Sequence, residues 1–218
     1  LWGSVLHGND PPTGRSNYEE SWGYIPTFSF EKNIHNTSMV DFEWAYKTGK
    51  VYAGDYSIGK LDGPYRFWFR YSTDRLEARV GLQKISFGPA MILRSLSWFD
   101  TIDIKDPTGQ TDAVEALRLR MFPNNSVGLW LWSINNDQDT LSFGGRAELS
   151  INAGELGLTY HWDQSTLSQS IGQLPVYLEN AHQRIAFDYR YDGFIGLWLE
   201  TAGILSNSKS NALPNRYT

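Results

Sequence analysis

Leu76-Glu77-Ala78-Arg79-Val80-Gly81-Leu82-Gln83 alternates without a break: Leu76, Ala78, Val80 and Leu82 are apolar, and Glu77, Arg79, Gly81 and Gln83 are not. Side chains of an extended chain point alternately to opposite faces, so a period of two specifies a strand with one apolar and one polar face. The same period separates Val40, Phe42, Trp44 and Tyr46 from Asp41, Glu43 and Lys47. It separates Tyr65, Phe67, Phe69 and Tyr71 from Arg66, Trp68 and Arg70, and Ile185, Phe187, Tyr189 and Tyr191 from Arg184, Asp188 and Arg190. The pattern recurs from about Ser38 to Leu205, which makes the chain all-β.

Strands are expected at about 38–46, 51–59, 65–71, 75–88, 113–122, 126–134, 143–152, 156–162, 182–191 and 194–205. Two less regular ones precede them: Leu1 to His7, and a strand from about Ser21 in which Trp22, Tyr24, Phe28 and Phe30 share a face. Pro26 marks an edge or a bulge there, because it cannot donate to a ladder. The total is about twelve. The links alternate in length, tight at Lys47–Lys50, Ser72–Asp74, Pro123–Asn125, Ala153–Glu155 and Asp192–Gly193. They are longer at Gly59–Pro64 and Asn135–Ser142, and long at Pro89–Asp112 and Asp163–Ala181. An up-and-down meander puts odd and even links at opposite ends, and transmembrane barrels have short turns at one end and long loops at the other. The expectation is a transmembrane antiparallel up-and-down β-barrel, with residues 1–218 as one domain.

Composition agrees. No run approaches the roughly 20 apolar residues of a membrane helix, but only alternate residues of a barrel strand meet lipid. The chain has 9 Trp, 12 Tyr and 11 Phe, and barrels place aromatics in girdles at both interfaces. A net charge of -5 argues against nucleic acid as a partner, and without cysteine there is neither a disulfide framework nor a thiolate metal site. Leu1 replaces an initiating Met, which suggests a removed signal peptide or a piece of a longer chain. The polar stretch Ser206–Thr218 reads as the start of another loop, so more strands are expected beyond it, in a larger barrel.

With the apolar set facing lipid, the lumen is lined by Asp41, Glu43, Arg66, Arg70, Glu77, Arg79, Arg118, Arg120, Arg146, Glu148, Arg184, Asp188, Arg190 and Glu200. Two readings stand side by side. In one, these charges pair across strands and fill a closed interior. In the other, they form a basic ladder along an aqueous path that favours anionic or sugar-like solutes. The strand Val127–Ile134 is apolar on both faces, since Trp130 and Trp132 oppose Leu129 and Leu131, so its lumen side must meet something. Phe87–Asp112, with Met91, Ile92, Leu93, Leu96, Trp98 and Phe99, reads as a loop with one or two helical turns that folds inward onto those tryptophans. Arg94, Asp100 and Asp103 would then join Arg118 and Arg120 at a constriction.

Catalytic and metal patterns are not found. His7, His35, His161 and His182 lack ligand spacing, and no nucleophile elbow, His-Glu-x-x-His helix or phosphate loop occurs. Asp41 and Glu43 share a face as a glycosidase pair would, an arrangement that arises easily by chance. Asn135-Asn136-Asp137-Gln138-Asp139 offers oxygen ligands but lacks the glycine and bidentate glutamate of a calcium loop. Neither an enzyme nor a cofactor is expected.

The segment Arg79-Val80-Gly81-Leu82-Gln83-Lys84-Ile85-Ser86-Phe87-Gly88-Pro89, followed by Leu93-Arg94-Ser95-Leu96-Ser97-Trp98-Phe99-Asp100, resembles part of bacterial outer-membrane porins of the alginate-export and related substrate-specific kind. Asp106-Pro107-Thr108-Gly109-Gln110 and Val114-Glu115-Ala116-Leu117-Arg118-Leu119-Arg120 extend the likeness, which covers Leu76 to Arg120. The chain departs from the family in lacking a final strand that ends on an aromatic residue. The resemblance implies an outer-membrane location and diffusion of a small polar solute, with membrane lipid and other envelope proteins as partners. Two alternatives stay open: a non-transporting docking barrel of an envelope complex, and a soluble glycan-binding β-sandwich.

Overall fold

A computed structural model describes residues 1–10, 12–13, 16–90, 94–101, 110–136, 140–165, 169–171, 174–178 and 181–206. Its strands are β1 (Trp2–His7), β2 (Tyr18–Tyr24), β3 (Thr27–His35), β4 (Ser38–Ala53), β5 (Tyr56–Thr73), β6 (Leu76–Gln83) and β7 (Val114–Asn124). They continue as β8 (Val127–Asn135), β9 (Leu141–Ile151), β10 (Gly154–Asp163), β11 (Gln169–Ile171), β12 (Leu174–Leu178), β13 (His182–Asp192) and β14 (Gly196–Ser206). Among the described residues, 12 of these strands form one sheet in the order β1-β2-β4-β5-β6-β7-β8-β9-β10-β13-β14, with β3 beside β4. The path is open, ending at β1 and β14, and β11 and β12 form a small ladder of their own. From β4 to β10, and from β13 to β14, neighbours in sequence are neighbours in the sheet as in a meander, whereas β2 and β3 both lie on β4 and β13 lies beside β10. No described residue is helical.

The chain divides into two compact units, Leu1–Ile85 with Phe99–Leu117, and Ser86–Trp98 with Arg118–Thr218. In the first, β2 and β3 lie end to end along β4, against 48–53 and 38–45 respectively. Pro26 separates them; lacking an N–H, it interrupts the ladder, and its carbonyl accepts from the Tyr46 amide at 3.2 Å. β4 and β5 are 16 and 18 residues long, which corrects the sequence reading of this region. Three strands were expected over 38–71, and there are two. The turn is at 54–55, where Gly54 adopts φ 61°, and residues 47–50 and 59–64 lie within the ladder. Gly59, Gly63 and Pro64 imitate turn residues but accompany register shifts at Ala45/Tyr46 and Val51/Tyr52. The single strand expected from Ser21 is conversely two, so the main sheet has the expected twelve, while β11 and β12 fall where sequence suggested only a long link. β6 is also shorter than expected. The backbone leaves the ladder after Gln83, although the alternation continues, with Ile85 and Phe87 buried.

The second unit follows the sequence reading closely. β8, β9, β10, β13 and β14 run 9, 11, 10, 11 and 11 residues. Their antiparallel order puts the links 125–126, 152–153 and 193–195 at one edge and 136–140 and 164–181 at the other. The last short link has three residues, Asp192 pairing with Gly196, where a two-residue hairpin was expected. In the first unit 36–37 and 74–75 share an edge, and the connection 84–113 leaves β6 at the edge opposite 74–75.

Burial is inverted. On β10 the buried set is Gly157, Thr159, His161 and Asp163, and the exposed set is Leu158, Tyr160 and Trp162. On β13 His182, Arg184 and Asp188 are buried, while Ile185 and Phe187 are exposed. The first unit repeats this, with Asp41, Arg66 and Glu77 buried and Phe67, Phe69, Tyr71 and Val80 exposed.

Candidate functional site

Among the described residues, buried polar side chains form charged clusters in both units. In the second unit the period of two brings Arg146 of β9, Thr159 of β10 and Asp188 of β13 onto one face. Arg146 chelates Asp188, Nη1 to Oδ2 at 2.5 Å and Nη2 to Oδ1 at 2.9 Å, although β10 lies between their strands. The guanidinium crosses Gly157, where a Cβ would collide with both the Arg146 and the Asp188 groups. Thr159 Oγ1 accepts from Nη1 at 2.9 Å, and Glu148 Oε1 accepts from Nε at 2.8 Å. The other Glu148 oxygen takes the Trp130 indole N–H at 2.9 Å, and the Arg120 guanidinium lies 4.0 Å from the Trp130 ring centroid, with Arg118 at 5.3 Å.

Toward the far end of β10 lies a second group that sequence analysis passed over. His161 Nδ1 accepts from the Trp132 indole at 3.2 Å, and His182 Nε2 accepts from Arg184 Nε at 2.9 Å. Arg184 also reaches Asp163 at 3.6 Å, and Asp163 Oδ1 accepts the Ser165 amide at 2.9 Å. Part of the signal was present in the sequence: His161 and Asp163 share one face at the end of β10, His182 and Arg184 share one face at the start of β13, and the register sets His161 opposite Arg184 and Asp163 opposite His182. Because these histidine nitrogens act as acceptors, the group is a hydrogen-bonded cluster. No set of three or more potential ligand residues among the described residues is placed to hold a metal ion.

Over this face lie residues 86–90 and 94–98 of the same unit. Phe87 stacks on Trp132, with centroids 5.6 Å apart and planes at 21°, and meets Trp98 edge-on at 5.6 Å. Trp98 lies 6.5 Å from the His161 ring, so the tryptophan of β8 that required a neighbour has one. Leu96 and Ser97 are 1% exposed. The expected helical turn is absent from 94–98. The Ser97 hydroxyl donates to the Arg94 carbonyl at 2.8 Å and the Trp98 indole to the Ser95 carbonyl at 3.0 Å, local bonds that compete with helix.

The first unit has its own cluster. Asp41 and Arg70 are directly opposed in the β4–β5 register and form a bidentate pair, 2.8 Å from Nε and 2.5 Å from Nη2. Glu77 on β6 bridges Arg70 at 3.5 Å and Arg79 at 3.8 Å, and the Arg79 guanidinium lies 4.2 Å from the Trp68 centroid. Arg66 donates to the carbonyls of Tyr65 and Thr111 at 2.7 and 2.9 Å, and the Tyr65 hydroxyl donates to Gln110.

Of the residues singled out from sequence, Arg66, Arg70, Arg79 and the fully buried Asp100 belong to the first unit, and Arg94, Arg118, Arg120, Arg146 and Arg190 to the second. Arg94 donates to the Ser86 hydroxyl at 3.3 Å. Arg190 stands apart, half-exposed at the end of β13 and paired with Asp192 at 2.9 Å. Asp103 lies outside the described residues, as do Met91, Ile92, Leu93 and the loop positions Asp137, Gln138 and Asp139. Comparison with family models, with curated proteins and with solved structures gave no match.

Proposed function

We propose that this chain forms wall of an outer-membrane β-barrel, acting as a porin or substrate-specific channel for small polar or anionic solutes. The observation that carries the reading is the inverted burial: charged groups are sequestered on one face while Leu, Ile, Phe, Tyr and Trp are exposed on the other. Burying one such side chain is worth about 2 kcal/mol, and a chain folding in water would turn these residues inward. Against lipid the same arrangement is the favourable one. Strands of 9 to 11 residues in the second unit suit the span of a tilted transmembrane strand, and the porin-like stretch around Leu76 to Arg120 points the same way. No described helix is long and apolar enough to cross a membrane, which says nothing of a barrel.

A non-transporting barrel is the second reading. It is favoured by the pairing of Arg70, Arg146 and Arg184 with carboxylates and by the segment packed on the second unit's charged face. Fractionation tests the class. The protein should stay with membranes until detergent is added, and recovery of intact protein in the soluble fraction would overturn both readings. Planar-bilayer recording separates them, with stepwise conductance expected from a channel and none from a docking barrel.

A further inference from the structure

The carboxylate of Glu200 on β14 is held by three donors from Ala90 and Ser95. Oε1 accepts the Ala90 amide at 2.7 Å, and Oε2 accepts both the amide and the hydroxyl of Ser95 at 3.1 Å. Gly88 adopts φ 90°, and a Cβ there would press on Oε1, so the approach of the backbone to the carboxylate depends on glycine. The sheet register gives the electrostatic reason. Glu200 lies directly opposite Asp188, and like charges in opposed positions destabilise a strand pair. Arg146 neutralises Asp188, whereas Glu200 has the N–H and O–H groups of Ala90 and Ser95. Charge-assisted bonds of this kind are about twice as strong as neutral ones.

The geometry points to Glu200 as a positioning residue that clasps 86–90 and 94–98 onto the charged face of the second unit and keeps solutes from the part of that face they cover. The solute half of this inference rests on the channel reading, and the clasp itself does not. The chain has no cysteine, so Ser97→Cys introduces a single buried thiol beneath the clasp, and Ser142→Cys, 2% exposed on β9, a control within the sheet.

Each thiol is titrated with a membrane-impermeant maleimide in the intact chain, alone and combined with Glu200→Gln or with the milder Ser95→Ala. The expected result is modification at position 97 about tenfold faster for each bond of about 1.4 kcal/mol lost, with position 142 still protected. If Glu200→Gln exposes both thiols, the sheet has opened and Ser95→Ala decides on the same criterion. Protection at 97 in the Ser95→Ala background, or in a Glu200→Gln background with 142 intact, overturns the clasp. In bilayers Glu200→Gln should raise single-channel conductance. Unchanged conductance with an exposed thiol overturns the solute half, and a lack of conductance in every variant, wild type included, is a failure of the channel reading that leaves the thiol result to judge the clasp.

Discussion

Arg70 and Arg146 perform the same chemistry in different settings, and the contrast shows what each unit asks of its charges. Arg70 meets Asp41 across a single ladder, from the directly opposed position, with its side chain 23% exposed. Arg146 reaches Asp188 two strands away, with side chains 2% and 4% exposed. The first pair needs only correct register. The second needs a strand between the partners that carries no side chain at the crossing point, which Gly157 supplies, and a hydroxyl from Thr159 to occupy the guanidinium further. A pair between neighbours decorates a face, whereas a pair that bridges three strands fixes β9, β10 and β13 to one another.

The comparison breaks most sharply at Asp188. Asp188→Ala leaves the buried Arg146 with Glu148 as its remaining ionic partner. Breaking a buried pair costs about 3 to 5 kcal/mol, and because Glu148 still neutralises the arginine, a loss of about 3 kcal/mol is expected at the lower end of that range. The midpoint of urea unfolding in detergent or lipid, followed by tryptophan fluorescence, reports it. The double replacement Arg146→Met with Asp188→Leu should recover part of the loss, since neither buried charge is then left without the other, while Glu148 loses its arginine and keeps the Trp130 indole. A single variant as stable as wild type would show that the bridge does not tie the three strands together.

How much of this was legible follows the same division. Alternation over β8, β9, β10 and β13 placed nearly every side chain on its face, because these ladders keep an unshifted register and a period of two has only one register that buries Arg146, Thr159 and Asp188 together. In β4 and β5 the same rule failed on boundaries. A bulge changes the parity without ending the strand, and Gly59, Gly63 and Pro64 are the residues a turn would use. The Arg146–Asp188 bridge was illegible for another reason. It depends on a small residue at position 157, and a glycine in a strand does not announce which side chain will cross it. The four-residue group of His161, Asp163, His182 and Arg184 was legible in part, but spacing along the chain does not show residues that meet across the β10–β13 ladder from the two ends of a long link.

Asp41→Ala sharpens the contrast from the other side. Arg70 keeps Glu77 at 3.5 Å and reaches water with part of its side chain, so the loss should be about 1 kcal/mol, at the upper end of the range for solvent-exposed pairs, against the larger loss for Asp188→Ala. The two variants measured in one urea series give the ratio directly. Equal losses would mean that bridging confers nothing beyond what register already provides.

Arg190 is the limiting case. It shares the parity of Arg184 and Asp188 on β13, so sequence alone ranks it with the buried arginines, yet it lies at the strand end with its side chain 51% exposed and Asp192 at 54%. Both partners belong to the same strand, two residues apart, so the bond ties no second strand into place. Water competes for each group, and salt screens what attraction is left. Arg190→Ala should therefore shift the unfolding midpoint by less than about 0.5 kcal/mol. If the protein does form a channel, it should also leave single-channel conductance and ion preference as they were. A change in ion preference comparable to that from replacing Arg118 or Arg120 would mean that the end of β13 lies on the solute's path, and that parity ranked Arg190 better than exposure did.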